Sequence, residues 1–373
     1  MNILLVNWQD RLNPQAGGAE IHLFEIFARI AARGHRVRLV CSGWPGAALR
    51  AVVDGIEVHR TGGRHSFALR GRAAVRRALR AEAPDVVVED VNKLPLYLPA
   101  LTRLPFCTLI PHLFGSTAFR EVDPLSAGIV WAAERGIPRA YRRTGFHAIS
   151  ESTRDDLVAR GVPAGRIRVI HPGVDAGRFT PAEGGRPAGP PSFVYLGRLK
   201  RYKGVETAIR AAVLARRSVP GLTLHVAGQG DDRPRLERLA SALGAGDGVR
   251  FLGFVDEASK LRLLRESTAN VFPSPKEGWG ITVMEAAACG TPSLASDSPG
   301  LRDSVRDGET GWLVPHGSPE PLAARMVELA LDPGLAARFG AAARRWAEEH
   351  SWEGAASATL AHLQELVQAG PHT

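Results

Sequence analysis

The 373-residue sequence has few cysteines and no long hydrophobic run. Its three cysteines, Cys41, Cys107 and Cys289, are widely separated, and none belongs to a CxxC pair. This pattern argues against a disulfide framework and against a zinc knuckle, and it fits a reducing cytoplasm. Charged residues, proline or glycine interrupt every apolar run before the ~18 residues that a membrane helix requires. The sequence therefore predicts a cytoplasmic protein that does not span a bilayer.

Several common nucleotide and metal motifs are also missing. The sequence has no GxxxxGK[ST] loop, and Gly228-Gln229-Gly230 lacks the third glycine of the dinucleotide fingerprint. It contains neither an HExxH motif nor a DxD pair of aspartates. We therefore expect neither a Walker-type nor an NAD-dependent protein, and no metal or other cofactor.

The charge balance leaves several classes of partner open. Lysine and arginine number 47 against 38 acidic residues, which gives a net charge of +9, and only five of the basic residues are lysine. Nucleic acid, an anionic membrane surface and phosphorylated small molecules are all compatible with this excess. Aromatic residues make up only 6% of the chain, and no recognition motif is present, so a nucleic-acid-binding protein is not expected.

Strand-like and helix-like segments alternate along the chain in two series. The first begins with an apolar run at residues 3–6 and an amphipathic helix over residues 19–33. Glycine and proline crowd residues 172–191, and a second series begins at residue 193. Such alternation is typical of βαβ units with a parallel sheet, and the crowded segment is typical of a linker.

We therefore predict an α/β protein with two Rossmann-like, doubly wound parallel-sheet domains that face a central cleft. The first domain would span residues 1–175 and the second residues 176–351. A final helix over residues 352–370 is expected to complete the first domain. Ligands of such sheets bind at the carboxyl ends of the strands, so the loops that leave the strands carry the candidate residues.

Two of these loops suit an anionic ligand. Gly17 and Gly18 end the loop after the first strand, where glycine lets backbone amides approach a ligand and a helix N terminus favours an anion. Arg198 and Lys203 follow the first strand of the second series, and they would offer a pyrophosphate a bidentate guanidinium and a compact ammonium. A plain tight turn and a solvated charged turn are the respective alternatives.

The segment at residues 274–285 is the most informative. It predicts a strand end, a glycine-rich turn and a helix whose first amides would face a phosphate. Those amides belong to Gly278, Trp279, Gly280 and Ile281.

Glu285 lies among apolar residues, where a buried carboxylate is costly unless it is hydrogen-bonded, and ribose hydroxyls are suitable donors. A salt bridge within the core is the alternative. Glu277 precedes the helix, where its carboxylate could meet the hydroxyls of a hexose.

Taken together, these motifs resemble the retaining, nucleotide-sugar-dependent glycosyltransferases of family 4, which have the GT-B fold. The resemblance covers essentially the whole chain and rests on GGAEIHLFEIFARIAARGHRV, GRLKRYKGVETAIRA and GWGITVMEAAACGTPSLASDSPGLRDSVRDGETGWLV. It implies that Arg198 and Lys203 bind the donor diphosphate, that Glu285 binds the ribose and that Glu277 contacts the transferred sugar.

The resemblance also implies roles for residues outside these motifs. His112, which follows a strand of the first domain, is similar to the active-site histidine that touches the donor sugar in this family. Phe254 and Val255 correspond to positions near the nucleobase, and Gly17 and Gly18 to the loop near the phosphates and the acceptor.

The activity implied by this resemblance is metal-independent transfer of a hexose from a UDP- or GDP-sugar to a hydroxyl of a glycan, a lipid-linked molecule or a small molecule. The acceptor would attack the face from which the nucleotide leaves, so that the anomeric configuration is retained. A GT-B epimerase, a phosphorylase and a non-catalytic sugar-binding protein are the alternatives. A basic amphipathic helix over residues 64–80 leaves peripheral contact with an anionic membrane open, although a solvated face is favoured for an arginine-rich chain.

Overall fold

A computed structural model describes residues 1–117, 119 and 123–371 of the chain. The chain divides into two compact units. The first comprises Met1–Pro172 together with Trp352–Thr373, and the second comprises Gly173–Ser351. The sequence placed the boundary after residue 175, three residues later.

Helices cover both sheets of the protein. Among the described residues they are α1 (Gly18–Ala32), α2 (Phe67–Ala81), α3 (Pro124–Arg135), α4 (Ile137–Ala140), α5 (Glu151–Ala159), α6 (Val205–Ala215), α7 (Arg233–Ala242), α8 (Glu257–Glu266), α9 (Ile281–Ala288), α10 (Leu301–Ser304), α11 (Pro319–Leu331), α12 (Pro333–Glu348) and α13 (Trp352–Gln368). None of these helices combines the length and the apolar character that crossing a membrane requires.

The first unit contains one sheet. Its strands are β1 (Asn2–Val6), β2 (Arg36–Cys41), β3 (Arg50–Val53), β4 (Ile56–Arg60), β5 (Val86–Asp90), β6 (Phe106–Ile110), β7 (Gly145–Ala148) and β8 (Ile167–Val169). Their spatial order is β3-β4-β2-β1-β5-β6-β7-β8. Ile3, Leu4 and Leu5 are completely buried, as a parallel strand with helices on both faces requires.

Strand β3 is a departure from the predicted all-parallel sheet. It pairs antiparallel with β4 at one edge. Asp54 and Gly55 form the turn between them, with φ angles of 49° and 79°. An Asp-Gly pair is favoured in a two-residue hairpin because both positions need a left-handed backbone. This dipeptide was the signal for the hairpin, and the sequence reasoning overlooked it.

The last helix belongs to the first unit. α13 packs against α1, whose side chains Leu23, Phe24 and Phe27 are buried in the core. Arg33, directly after α1, forms an ion pair with Glu353 at the start of α13. The apolar face of α1 is therefore covered by the sheet and by the C-terminal helix.

α2 lies over the same sheet and begins later than the predicted basic helix at residues 64–80. It buries Phe67, Gly71 and Val75, whereas Leu69 is 81% exposed. The guanidinium of Arg72 donates a hydrogen bond of 3.1 Å to the carbonyl of Tyr97. This arginine therefore holds a neighbouring loop, although the sequence grouped it with the basic face.

The second unit contains a parallel sheet of six strands. They are β9 (Ser192–Leu196), β10 (Thr223–Ala227), β11 (Val249–Gly253), β12 (Ala269–Phe272), β13 (Ser293–Ser296) and β14 (Gly311–Val314). Their spatial order is β11-β10-β9-β12-β13-β14. Side chains such as Phe193, Tyr195 and Leu224 form a buried core with residues of α6 and α11.

In both sheets the chain reverses the direction in which it adds strands. The reversal falls between β1 and β5 in the first unit and between β9 and β12 in the second. Loops that leave the carboxyl ends of strands at such a point diverge to opposite faces and open a crevice for ligands. These two positions are therefore where the candidate residues are expected.

Candidate active site

The switch point of the second sheet brings three predicted residues together. Arg198 and Lys203 follow β9, and Glu277 follows the neighbouring strand β12. The Nζ atom of Lys203 lies 2.5 Å from Oε1 of Glu277. The two side chains are only 12% and 16% exposed. A cation and a carboxylate that sequence reasoning treated separately therefore form one largely buried ion pair.

The surroundings of Lys203 keep it charged. Burial by itself would lower the pKa of Lys203, but the carboxylate of Glu277 and the nearby Tyr202 outweigh burial, so the pKa is raised. The ammonium also lies 5.0 Å from the centre of the Tyr202 ring. A fixed positive charge at this switch point is suited to attract an anionic ligand.

The backbone of Glu277 is held by the turn that follows β13. Its N–H donates a hydrogen bond of 3.1 Å to the carbonyl of Pro299. A side chain at Gly300, whose φ is +80°, would place its Cβ 2.2 Å from the carbonyl oxygen of Glu277. Glycine at this position therefore allows the turn to approach the backbone that carries Glu277.

Arg198 differs from Lys203 in having no acidic partner in the part of the chain that the structure describes. Its Nη2 atom lies 3.3 Å from the hydroxyl of Tyr202, and its carbonyl accepts a hydrogen bond of 3.0 Å from Tyr195. Among the residues that the structure describes, no carboxylate forms an ion pair with the exposed Arg198 side chain. Its guanidinium thus retains its capacity to bind a phosphate in a bidentate manner.

Helix α9 begins beside this ion pair. Gly280 is its N-cap residue, and the preceding Trp279 is 2% exposed, with its ring 5.5 Å from that of His350. The first N–H groups of a helix have no acceptor within the helix, and they carry the positive end of its dipole. The predicted amide cluster, from Gly278 to Ile281, therefore coincides with the N terminus of α9. Glu277 directly precedes it in the chain.

Glu285 lies in the second turn of α9 and is 8% exposed. Its Oε1 atom lies 2.5 Å from Nζ of Lys260 on α8, so the salt bridge that the sequence left open as an alternative is present. Its Oε2 atom is buried and has no hydrogen-bond partner among the described residues. Burial raises the pKa of Glu285, and Lys260 opposes this effect. One oxygen of this carboxylate therefore remains available to a hydrogen-bond donor.

Phe254 and Val255 lie further along the same sheet. They follow β11, an edge strand that is separated from β9 by β10. Phe254 is 74% exposed. No described contact joins these two residues to Arg198 or Glu285, so their assignment to a nucleobase remains a prediction.

At the switch point of the first unit, Gly17 and Gly18 begin α1. The N–H of Gly17 donates a hydrogen bond of 2.7 Å to Glu20, a residue of the same helix. Glu20 is 4% exposed and also accepts a hydrogen bond of 3.3 Å from Asn92, which follows β5. The glycine loop is therefore tied to the neighbouring loop, and one of its amides is already occupied.

Asp90 ends β5 beside this loop, and sequence reasoning missed it. The side chain is 2% exposed, and neither carboxylate oxygen has a hydrogen-bond partner among the described residues. Burial raises the pKa of Asp90 well above its usual range, Glu20 adds to the effect and Lys93 opposes it. An acid at the carboxyl end of a buried strand was the available signal.

We expect Asp90→Asn to stabilise the protein at pH 8 by about 1–3 kcal/mol, because it removes a buried carboxylate that lacks hydrogen bonds. A raised pKa means that the native state holds more protons, so the wild type loses stability as pH rises above about 4, the ordinary value for aspartate. The stabilising effect of the substitution should therefore be larger at pH 8 than at pH 5.

Urea unfolding of the wild type and of Asp90→Asn at both pH values provides the measurement. Asp85→Asn is the matched control, because Asp85 accepts a hydrogen bond of 2.7 Å from the backbone of Asn2 in an exposed position. A lower stability of Asp90→Asn than of the wild type at pH 8 would show that the carboxylate is well solvated or paired.

His112 follows β6 in the first unit. Its ring lies 4.8 Å from the ring of Phe114, in an edge-to-face arrangement. The N–H groups of Phe114 and Gly115 donate hydrogen bonds of 2.6 and 2.8 Å to the carboxylate of Glu134. Glu134, which is 1% exposed, thus positions the loop that carries the histidine, and the sequence offered no sign of this distant partner.

Comparison with known proteins identifies the family. Residues 16–178 match the family described as Glycosyltransferase Family 4, and residues 178–346 match Glycosyl transferases group 1. Glycogen synthase of Mycobacterium tuberculosis is 30% identical over 96% of this chain and 93% of its own length. The chain belongs to the family 4 glycosyltransferases. The glycosyltransferase is also 36% identical to D-inositol 3-phosphate glycosyltransferase of Streptomyces avermitilis, over 55% of its chain and 48% of that protein.

Solved structures place the glycosyltransferase in the GT-B class. Sucrose-phosphate synthase from Thermosynechococcus elongatus matches with a TM-score of 0.85 and 22% identity over 99% of both chains. HepE from Anabaena, solved in complex with UDP-glucose, matches with a TM-score of 0.77 and 18% identity over 98% of this chain and 100% of that one. These structures confirm the predicted fold class, and the family matches together with the relative of 30% identity confirm the predicted enzyme class.

Proposed function

We propose that this glycosyltransferase transfers a hexose from a UDP- or GDP-sugar to a hydroxyl group, with retention of configuration and without a metal ion. The observation that carries the proposal is the Lys203–Glu277 ion pair beside Arg198 at the β9/β12 switch point. Two cations of different geometry next to a helix N terminus suit a diphosphate, and a neighbouring carboxylate suits sugar hydroxyls.

The relatives support a nucleotide-sugar donor. D-inositol 3-phosphate glycosyltransferase is named for a glycosyl transfer, glycogen synthase is named for the synthesis of a glycan, and HepE was solved in complex with UDP-glucose. In the present chain, Arg198 and Lys203 would bind the diphosphate, and Oε2 of Glu285 would accept a hydrogen bond from the ribose. Phe254 and Val255 would lie near the base, and His112 would contact the sugar.

In the proposed reaction, the oxygen of the acceptor hydroxyl forms a bond to the anomeric carbon of the donor sugar. The bond between that carbon and the diphosphate oxygen breaks, and the leaving phosphate oxygen takes the acceptor proton. Arg198, Lys203 and the first amides of α9 would stabilise the negative charge that develops on the diphosphate. Such preorganised charges act more strongly than mobile water does, because they need no reorientation during the reaction.

We expect replacement of Glu285 to weaken nucleotide binding and replacement of Glu277 to reduce turnover. Glu285→Ala removes a ribose acceptor, so nucleotide affinity should fall about 10- to 100-fold, as expected for a hydrogen bond to a charged group. Glu277→Ala should leave nucleotide affinity closer to the wild-type value and abolish most turnover. Calorimetric titration with UDP, GDP and ADP, followed by transfer assays with the matching sugars, tests both expectations.

Lys260→Met is the matched control for Glu285. It breaks the Lys260–Glu285 ion pair but keeps the carboxylate that would bind ribose. Nucleotide affinity should therefore survive Lys260→Met and be lost in Glu285→Ala. Equal loss in both variants would assign Glu285 to the ion pair alone, and unaltered activity in both glutamate variants would contradict the proposed roles.

A further inference from the structure

The first unit contains an open surface pocket of about 310 Å³ that is lined by four exposed arginines, Arg103, Arg139, Arg142 and Arg143. We refer to it as the arginine pocket. Tyr97 forms part of its wall. The volume lies at the lower end of the range for small-molecule sites, which is about 300–1,000 Å³. The arginine pocket is therefore large enough for a compact ligand.

The charges of the arginine pocket are unbalanced. Among the described residues, none of its four arginines forms an ion pair with a carboxylate. Several other arginines of the same unit do form ion pairs, as Arg36 does with Glu57 and Glu82 at 2.8 and 2.6 Å. Guanidinium groups that share one cavity repel one another, and an anion with several oxygens relieves that repulsion through bidentate hydrogen bonds.

The wall of the arginine pocket is held in an unfavourable backbone conformation. Tyr97 has a φ of 54°, which is rare for a residue with a bulky side chain. Its hydroxyl donates a hydrogen bond of 2.5 Å to the carbonyl of Ala133. A Cβ at Gly136 would lie 2.6 Å from this hydroxyl. The position of Tyr97 therefore depends on a glycine in the adjoining helical segment.

A buried network fixes the same wall from below. Glu89 accepts hydrogen bonds of 2.6 and 3.3 Å from the N–H groups of Leu96 and Leu98, and one of 2.9 Å from the hydroxyl of Tyr141. The N–H of Tyr97 in turn donates to the Tyr141 hydroxyl at 2.8 Å. Strained backbone costs of order 1–3 kcal/mol and persists only where the surroundings enforce it. The arginine pocket is therefore a built feature of the unit.

The arginine pocket lies at the amino ends of strands β6 and β7, whereas the glycine loop and His112 lie at the carboxyl ends of their strands. Arg103 precedes β6, and Arg142 and Arg143 precede the adjacent parallel strand β7. His112 follows β6 at its other end. A strand of five residues spans about 16 Å. A ligand in the arginine pocket would thus be distinct from the substrates bound at the carboxyl ends of the strands.

We propose that the arginine pocket binds a phosphate-bearing ligand, supplied either by a free phosphorylated small molecule or by the headgroup of an anionic lipid. Its chemistry is that of a phosphate recognised by several guanidinium groups. The site does not depend on the proposed donor, because its residues are separate from Arg198, Lys203 and Glu285.

The test compares the wild type with the triple variant Arg139→Gln, Arg142→Gln and Arg143→Gln. These three side chains are exposed, so the variant should fold. The matched control is Arg76→Gln, Arg77→Gln and Arg80→Gln, which removes the same charge from exposed positions on α2. Every protein compared also carries Arg198→Gln and Lys203→Ala, because the proposed donor site would itself bind a diphosphate. Binding is measured with inorganic pyrophosphate by calorimetry, and by flotation with vesicles of phosphatidylcholine alone or mixed with phosphatidylglycerol.

We expect the arginine-pocket variant to lose at least tenfold in affinity for one of the two probes, while the α2 variant keeps its affinity. Loss of pyrophosphate binding alone identifies a free ligand, and loss of binding to the mixed vesicles alone identifies a lipid headgroup. Gly136→Ala should weaken the same probe without a change in charge, because it displaces Tyr97. Equal affinities in the wild type and the arginine-pocket variant would overturn the proposal, as would a loss confined to the α2 variant.

Discussion

Replacing Lys203 by alanine should lower the turnover of sugar transfer by about 10²- to 10³-fold, the usual effect of removing one preorganised charge from a transition state. The reason is structural. The ammonium is held 2.5 Å from Glu277 in a largely buried position, and its pKa is raised despite burial. Transfer assays under saturating donor should detect the loss in kcat, since the proposed role of the ammonium is to stabilise charge that develops on a leaving diphosphate.

Lys200→Ala provides the matched control for this prediction. Lys200 lies three residues away and pairs at 2.8 Å with Asp231, whose side chain is 73% exposed. Exposed ion pairs of this kind contribute little, so turnover should stay within about twofold of the wild type. If Lys203→Ala retained wild-type turnover, or if both lysine variants lost it equally, Lys203 would have no specific role in stabilising the leaving group.

Acidification from pH 6.5 to pH 4 should destabilise the first unit by about 2–3 kcal/mol through His22. His22, His147 and His362 are all buried where α1, β7 and α13 meet, and the rings of His22 and His147 lie 5.8 Å apart. Burial lowers the pKa of His22 to about 4. Burial also lowers the pKa of His147 and of His362.

The direction of this change in stability follows from the number of protons that the folded and unfolded states bind. Between pH 6.5 and pH 4 the unfolded chain binds a proton at His22 that the folded unit does not, so unfolding becomes more favourable as pH falls. Stability is complete above pH 6.5 and declines below it. Arg168 and Glu365 also act on the pKa of His362, whereas the pKa of His22 is lowered by burial alone.

Urea unfolding of the wild type and of His22→Phe between pH 7.5 and pH 4 checks this expectation. The phenylalanine variant should lose less stability over the same interval, because it cannot bind the proton. His65→Phe serves as the control, since His65 is exposed. Identical pH profiles for the wild type and His22→Phe would show that His22 does not govern acid sensitivity.

Helix periodicity and end signals made much of the fold predictable. The helix predicted over residues 19–33 agrees with α1 (Gly18–Ala32) to within one residue at each end, and the helix predicted over residues 352–370 agrees with α13 (Trp352–Gln368) at its start. The apolar face of α1 recurs at helical spacing, and Gly34, with a φ of 86°, stands just after the helix, where glycine is favoured. A pattern of this kind is local, so the sequence contains it directly.

Short strands were harder to predict because their neighbours create them. β7 has only four residues, beginning with Gly145, and it exists by pairing with β6 on one side and β8 on the other. A segment of this length carries no readable alternation of polar and apolar side chains. Its identity as a strand therefore became visible only in three dimensions.

The candidate site shows the same division. Arg198, Lys203, Glu277 and Glu285 were predicted individually from the chemistry of a nucleotide-sugar. Their ion-pair partners were not predicted. Lys203 pairs with Glu277, which is 74 residues away, and Glu285 pairs with Lys260 on another helix. Lys260 is an ordinary residue of an amphipathic helix in sequence terms. Its partner is set by how α8 and α9 pack, which no local pattern encodes.

The position of α13 has a consequence for synthesis of the chain. The second unit is one continuous stretch, Gly173–Ser351, whereas the first is completed by residues from Trp352 onward. On a ribosome, the later half can thus finish folding while the earlier half still waits for its closing helix. Until that helix emerges, the side chains of α1 that it covers, including His22 opposite Trp352, stay open to water or to a chaperone.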